Sequence, residues 1–360
     1  MDQVARRVTI ADVAERAGVS KTAVSFAFNN PDRLNVATAS RILEIANELG
    51  YRPDPVARML TQRRTGSIGI LTPQDLSVIF TNPFFGSFSA GIAGVAEERG
   101  YGLHFISPLH GSLSRAIGRA TVDGVVAIGL TDDHPEIDEI RRAGLPMVLV
   151  DSATTGTTAS VDVDDEGGAR LAGAHLVGLG HRDIAVLAID GPRTPSSGGH
   201  GVVERRLRGY REVLGEAGIE LAADAIAVGS ASIDGGNEAF ERLWAAGRRP
   251  TALLAMSDAM AIGAIRAIHL QGRSVPGEIS VVGFDDIDLA ASTDPPLTTV
   301  HQPVRGKGEA AVRLLLSVME GGHSEPVHRR LETRLVVRSS TGPRTRGQVG
   351  EVPADQPKSA

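Results

Sequence analysis

No cysteine occurs among the 360 residues, which excludes disulfides and thiolate metal sites and suits a reducing cytoplasm. Aromatic residues supply only 4% of the chain, with a single tryptophan, so an aromatic outside an apolar run stands out. No apolar run approaches the roughly 18 residues of a membrane span. The amino terminus also has no apolar signal core, so neither membrane insertion nor export is expected. The chain has no Gly-x-Gly-x-x-Gly after its first strand, no phosphate loop, no Gly-x-Ser-x-Gly and no His-Glu-x-x-His. Ser, His and Asp are plentiful, but no spacing singles out a catalytic triad. No metal, no cofactor and no enzymatic activity are expected.

What is present begins at residues 8–25, which spell a short helix, a glycine turn and a second helix. Thr9 can cap the first, and Asp12 three positions on completes a variant of the capping box. Ile10, Val13, Ala14 and Ala17 share one face, and Gly18 offers the backbone freedom that ends the helix. Ser20 can cap the second helix, whose Val24, Ala27 and Phe28 form an apolar stripe while Lys21, Thr22 and Ser25 stay free. Such spacing fits a plain αα-hairpin as well as a DNA-reading helix-turn-helix. A third amphipathic stretch over residues 38–49, with Ile42, Leu43, Ile45, Ala46 and Leu49 inward, favours a three-helix unit whose second helix suits the major groove. Residues 1–64 carry ten Lys/Arg against seven Asp/Glu, or +3, within a chain of net charge −6, which leaves −9 for the rest. That segregation agrees with phosphate contacts at the amino-terminal end.

From Ser67 onward, after a polar, basic linker, apolar runs bounded by Gly or Pro alternate with amphipathic stretches. Candidate strands fall at residues 68–71, 103–106, 124–128, 147–150, 184–189, 252–256 and 279–284. Continuous apolar runs separated by helices indicate parallel strands covered on both faces, a doubly wound α/β architecture. Sheets of this kind bind ligands beyond the carboxyl ends of their strands. Asp151, Ser257, Asp258, Asp285 and Asp286 all sit at such ends. Capping or structural roles are the preferred reading for Asp258 and Asp286. Trp244 reads as core and His181 as structural. The alternatives in other classes are a nicotinamide-dependent oxidoreductase, which the missing motifs disfavour, and an exported solute-binding protein, which would have no use for the first sixty residues.

These segments together resemble the LacI/GalR family of bacterial repressors. The residues that carry the resemblance are 8–29, 50–53, 55–58 with Leu60, 179–182, 257–261, 279–286 and 295–300, in family order across roughly residues 8–340. The resemblance implies an α/β protein with a small all-α helix-turn-helix headpiece, followed by a two-lobed periplasmic-binding-protein-like domain with doubly wound parallel sheets. The expected divisions are residues 1–53 for DNA binding, 54–66 for a hinge helix and linker, 67–342 for effector binding and dimerisation, and 343–360 for a disordered tail. Within the large domain the first lobe is expected at 67–163 plus 294–323 and the second at 164–293 plus the final strands.

The resemblance also implies roles. Thr9, Ser20, Lys21, Thr22, Ser25, Phe26, Asn29 and Arg33 face DNA, with Lys21 and Thr22 reading bases and Asn29 and Arg33 on phosphates. Val56, Ala57 and Leu60 belong to the hinge helix, Leu60 wedging into the minor groove. Phe84, Phe85, Asp151, Arg206, Ser257, Asp285 and Gln302 bind the effector: the phenylalanines as a stacking wall, the aspartates as acceptors, Arg206 as a planar fork. Two departures stand out. Phe26 occupies the place where most relatives carry arginine, and Asp54 that where many carry asparagine. The chain is expected to be a cytoplasmic, homodimeric transcription regulator, a repressor, binding pseudo-palindromic double-stranded operator DNA under the control of a small molecule, a sugar by default.

Overall fold

The computed structural model describes residues 8–54, 59, 64–152, 156–190, 201–322 and 325–344. The hinge expectations for Val56, Ala57 and Leu60 therefore fall outside the described residues. The chain divides into two compact units, Met1–Thr65 and Gly66–Ala360.

The first unit holds α1 (Ile10–Ala17), α2 (Lys21–Asn29) and α3 (Val36–Glu48), with a 3-10 turn at Pro31–Arg33. Asp12 Oδ2 accepts the Thr9 amide and the Thr9 hydroxyl, both at 2.8 Å, so Thr9 acts here as donor. Gly18 takes φ +64° and donates to Glu15, while Val19 donates to the Ala14 carbonyl at 3.0 Å. This Schellman closure needs the left-handed backbone that glycine adopts without strain. The Ser20 hydroxyl accepts from Ala23 N–H at 3.1 Å and starts α2. Val13, Val24 and Ile42 are fully buried at the meeting point of the three helices, with Ala14, Ala17, Ala27 and Ala46 around them.

The third helix corrects two expectations. It starts at Val36 because the Asn35 side chain caps it, accepting from Thr38 N–H at 2.7 Å. Leu43, expected inward, is exposed. A helix turns about 100° per residue, so the buried row of Ala39, Ile42 and Ala46 carries Leu43 past the core edge.

In the second unit the described residues form two six-stranded sheets. The first comprises β1 (Ser67–Leu71), β2 (Gly102–Ile106), β3 (Gly124–Ile128), β4 (Met147–Val150), β5 (Ser160–Val163) and β11 (His328–Leu331), in the order β11-β5-β4-β3-β1-β2 and parallel throughout. The second comprises β6 (Ile184–Ile189), β7 (Ile226–Gly229), β8 (Ala252–Ala255), β9 (Ser280–Asp285), β10 (Thr298–His301) and β12 (Arg334–Val336), in the order β12-β10-β9-β8-β6-β7, with only β12 antiparallel. Alternate residues of each apolar strand feed cores on opposite faces. Val126 and Ile128 belong to one cluster, Val125 and Ala127 to the other.

The lobe boundaries differ from those expected. β10 pairs with β9, so residues 294–301 belong with the second lobe, and β11 joins the edge of the first. The chain thus crosses between sheets after β5, after β10 and after β11. Beyond the second crossover the helix Val304–Met319 packs against the helix Pro83–Glu98 and over β3 and β4. A Cβ at Gly308 would run into the Phe88 carbonyl, and one at Gly91 into the Arg305 carbonyl, so the two helices meet backbone to backbone.

Candidate functional site

In the first unit the outward side of α2 carries the expected DNA-facing residues. Lys21 and Thr22 are exposed in its first turn beside Ser20, while Ser25, Phe26 and Asn29 are half-buried further along. The Asn29 amide donates to the Ser25 carbonyl at 3.0 Å, which fixes its orientation on the helix. Arg33, on the exposed 3-10 turn, sets its guanidinium 5.3 Å from the Phe26 ring centroid. A cation thus stands beside the Phe26 ring. Thr9 is also exposed, its hydroxyl held by Asp12.

In the second unit a cavity of about 540 Å³ opens at the carboxyl ends of both sheets. Phe84, Phe85, Asp151, Arg206, Ser257, Asp285 and Gln302 all line it, although they come from six separate segments of chain. Asn82 caps the helix Pro83–Glu98, accepting from Phe84 N–H at 3.0 Å, and so presents Phe84 at the wall. Phe84 stacks on Phe88 at 6.2 Å and meets Phe85 edge-on at 5.4 Å, which holds its ring in one orientation. Ser257 caps the helix Asp258–Leu270 from within the lining, with its hydroxyl accepting from Met260 N–H at 3.2 Å.

The charged groups are tied in pairs. Arg206, 4% exposed, donates from Nε to Asp165 Oδ1 at 2.8 Å and from a terminal nitrogen to the Met256 carbonyl, with its guanidinium 3.5 Å from the Phe284 ring centroid. Arg205 grips the other Asp165 oxygen at 2.6 Å. Burial raises the Asp165 pKa, yet Arg206 and Arg205 outweigh it and hold the carboxyl below its ordinary value. Asp151 accepts from the buried Lys307 ammonium at 2.7 and 2.9 Å, and Lys307 also donates to Gln302 Oε1 at 2.7 Å. Gln302 Nε2 donates to Asp285 Oδ1 at 2.6 Å. Burial pushes Asp285 up to about 7 despite the pull of Arg206. The backbone is unusual at the same points: Asp151, Asp285 and Asp286 have φ of +57°, +126° and +59°, a region that side chains avoid and that collects at ligand sites.

Asp258 and Asp286 are engaged in structure. Asp258 accepts from Ile287 N–H at 2.9 Å and from the Thr299 hydroxyl at 2.5 Å, while burial raises it to about 6. Asp286 holds His301 and Arg338. His181 bridges Thr251 and the Gly342 carbonyl at 3.0 and 3.1 Å, and burial lowers its pKa, as befits a structural imidazole. Trp244, expected in the core, is only half-buried. It packs on Phe240 while Arg249 and Arg273 cover its ring.

Four participants escaped the sequence. Asp165 sits in an Asp-Asp-Glu run that reads as a solvated helix start. Lys307 left one readable signal, being a lysine on the inward stripe of the helix Val304–Met319 between Val304 and Ala311. Gln74 and Thr131 line the cavity with buried side-chain oxygens, Oε1 and Oγ1, that have no hydrogen-bond partner among the described residues. No pattern in the chain announces them.

Among the described residues no cluster of His, Asp or Glu is arranged to hold a metal ion, and no helix is long and apolar enough to cross a membrane. The profile of "Bacterial regulatory proteins, lacI family" matches residues 9–54, and that of "Periplasmic binding protein-like domain" matches 174–341. The HTH-type transcriptional regulator CelR of Thermobifida fusca is 34% identical over 342 residues, covering 93% of this chain and 98% of its own. Among solved structures, a CelR–cellobiose complex is similar at TM-score 0.68 and 32% identity, covering 93% of this chain and all of its own. The lac repressor dimer bound to operator and the anti-inducer ONPF is similar at TM-score 0.78 and 30% identity, covering 94% of this chain and 100% of its own. With such identity sustained over nearly the whole length of both chains, a helix-turn-helix at one end and a two-sheet periplasmic-binding-type domain carrying the cavity, the chain belongs to the lacI family of bacterial transcriptional regulators.

Proposed function

We propose that this regulator is a cytoplasmic homodimeric repressor without enzymatic activity, which reads a pseudo-palindromic operator through α2 and senses a neutral sugar in its cavity. Lys21 and Thr22 serve as base readers, and Ser20, Ser25, Asn29 and Arg33 contact the backbone around them. Thr9 adds a contact at the start of α1. The observation that carries the sugar reading is the composition of the cavity wall. The Phe84 ring offers a flat apolar surface for the C–H face of a pyranose, while Asp285, Arg206, Gln74 and Thr131 offer acceptors and donors for its hydroxyls. A buried oxygen without a partner costs about 1–3 kcal/mol until something donates to it, and a hydroxyl-rich ligand does so. The volume lies within the range of small-molecule sites. The cellobiose seen with the CelR relative and the operator seen with the lac repressor point the same way.

A thermal-shift screen against neutral sugars including cellobiose, sugar phosphates and nucleobases tests the reading. A ligand present at a hundred times its Kd stabilises the native state by about 2.7 kcal/mol, a shift of several degrees. The proposal expects neutral sugars to give the largest shifts, and a hit then to alter affinity for DNA recovered by random-oligonucleotide selection. A response to nucleobases alone, or turnover of the bound sugar, would overturn it.

A further inference from the structure

Lys307 presents a physical puzzle. Its side chain is wholly buried in the helix Val304–Met319, in a row where Val304, Ala311 and Leu315 turn inward. Taking an ammonium and a carboxylate out of water costs several kcal/mol per ion, and a well-packed apolar pair in their place is often neutral or stabilising. Folding alone therefore gives no reason to keep a lysine there. Its geometry does. The ammonium has three protons and no acceptor. Its three acceptors are Asp151 Oδ1 at 2.9 Å, Asp151 Oδ2 at 2.7 Å and Gln302 Oε1 at 2.7 Å.

Because a lysine only donates, the Gln302 oxygen must face it, and the Gln302 NH2 must then face Asp285, where it donates to Oδ1 at 2.6 Å. The four side chains form one hydrogen-bonded line. It runs from β4 and the helix Val304–Met319 in the first lobe, through the second crossover, to the end of β9 in the second. Asp151, Gln302 and Asp285 line the cavity, and Lys307 stands behind them with its nitrogen 4.8 Å from the Phe84 ring centroid. Asp285 Oδ2 accepts from no described residue, and Arg206 keeps N–H groups beyond those given to Asp165 and Met256.

We propose that Lys307 is a positioning residue that determines the specificity of the cleft: it neutralises Asp151, locks the Gln302 amide onto Asp285, and leaves Asp285 Oδ2 and the spare Arg206 donors as the fixed polar contacts that a neutral polyol meets. This rests on the sugar reading of the same cavity.

Lys307→Met and the double variant Asp151→Asn/Lys307→Met test it. The single variant leaves Asp151 buried and unpaired and loses thermal stability. The double variant removes both charges and regains it. Crystal structures of the ligand-free variants are expected to show Gln302 released from Asp285, beyond 3.5 Å, in both. Affinity for whichever neutral mono- or disaccharide binds the wild-type protein is expected to fall by roughly tenfold or more in both, the worth of one hydrogen bond to a charged group. A merely structural lysine predicts otherwise, with affinity returning together with stability in the double variant, and that result overturns the proposal. So does a Gln302 amide that stays on Asp285 in both variants. If no sugar in the panel binds the wild-type protein, the sugar reading fails by that result, and the ligand-free Gln302 geometry still decides for or against Lys307.

Discussion

Asp285 combines a strained backbone with a carboxyl that burial raises to about 7, and it is the burial that makes its charge a cost of folding. Arg206, Asp258 and Lys307 face it, and the attraction of the two cations only partly offsets the loss of water. The native state binds this proton more tightly than the unfolded chain, whose aspartate titrates near ~3.9. Stability from this group is therefore present at low pH and is lost as pH rises from about 4 through about 7. Asp285→Asn removes that loss, so urea unfolding is expected to show a larger stabilisation at pH 8 than at pH 5; an equal change at both would contradict the linkage. In α2, Phe26 supplies an apolar edge beside the Arg33 cation. Phe26→Arg adds a second guanidinium able to grip guanine, worth about 1–3 kcal/mol of base discrimination. Oligonucleotide selection should then return a half-site that differs at one base pair, and identical selected sequences would refute a groove-facing Phe26. The seven cleft residues were legible because they follow apolar runs or sit in motifs that the family resemblance supplied. Gln74, Thr131 and Asp165 were not, since each matters only through a partner or cavity brought near by distant chain.

The strands were read where burial on both faces writes an unbroken apolar run, as in β3, β4, β6, β8 and β9. Those missed are β5 with its Ser160-Val-Asp-Val, the four-residue edge strand β7 that ends in Gly229, the Thr-rich β10, and the arginine-bearing edge strands β11 and β12. Edge strands expose one side of their ladder and need no apolar alternation. The misplacement of β10 has a related cause, because a crossover leaves no mark in local pattern and only pairing with β9 shows which sheet it joins. Helix packing yields a sharp test at Gly308, where the backbone of the Phe88 turn occupies the space of a side chain. Alanine favours a helix over glycine by about 1 kcal/mol. Forcing a methyl into filled space costs about 1–3 kcal/mol or more, and here the obstacle is backbone rather than a mobile side chain. Gly308→Ala is therefore expected to lower the urea midpoint and also to weaken sugar binding, since Lys307 is its neighbour. A neutral or stabilised variant would show that the two helices can separate without loss.

The charge imbalance between the two units separates their chemistry in a measurable way. Operator binding driven by Lys and Arg on phosphates releases counterions and must weaken steeply as salt rises. A neutral sugar held by buried hydrogen bonds displaces no ions, so its affinity should stay nearly flat over the same range. Regulation by the sugar imposes a stricter condition, because coupling between two sites is reciprocal. If a sugar lowers operator affinity by some factor, saturating operator must lower sugar affinity by the same factor, typically about 5–150-fold for 1–3 kcal/mol of coupling. Titrating sugar against the free protein and against its operator complex, and operator against the free and sugar-bound protein, gives four constants with one constraint. Equality of the two ratios, with sugar weakening DNA binding, is the expected result for an induced repressor, and equality in the opposite direction makes the sugar a co-repressor. If both ratios equal one while each ligand binds tightly, the cavity does not control the headpiece.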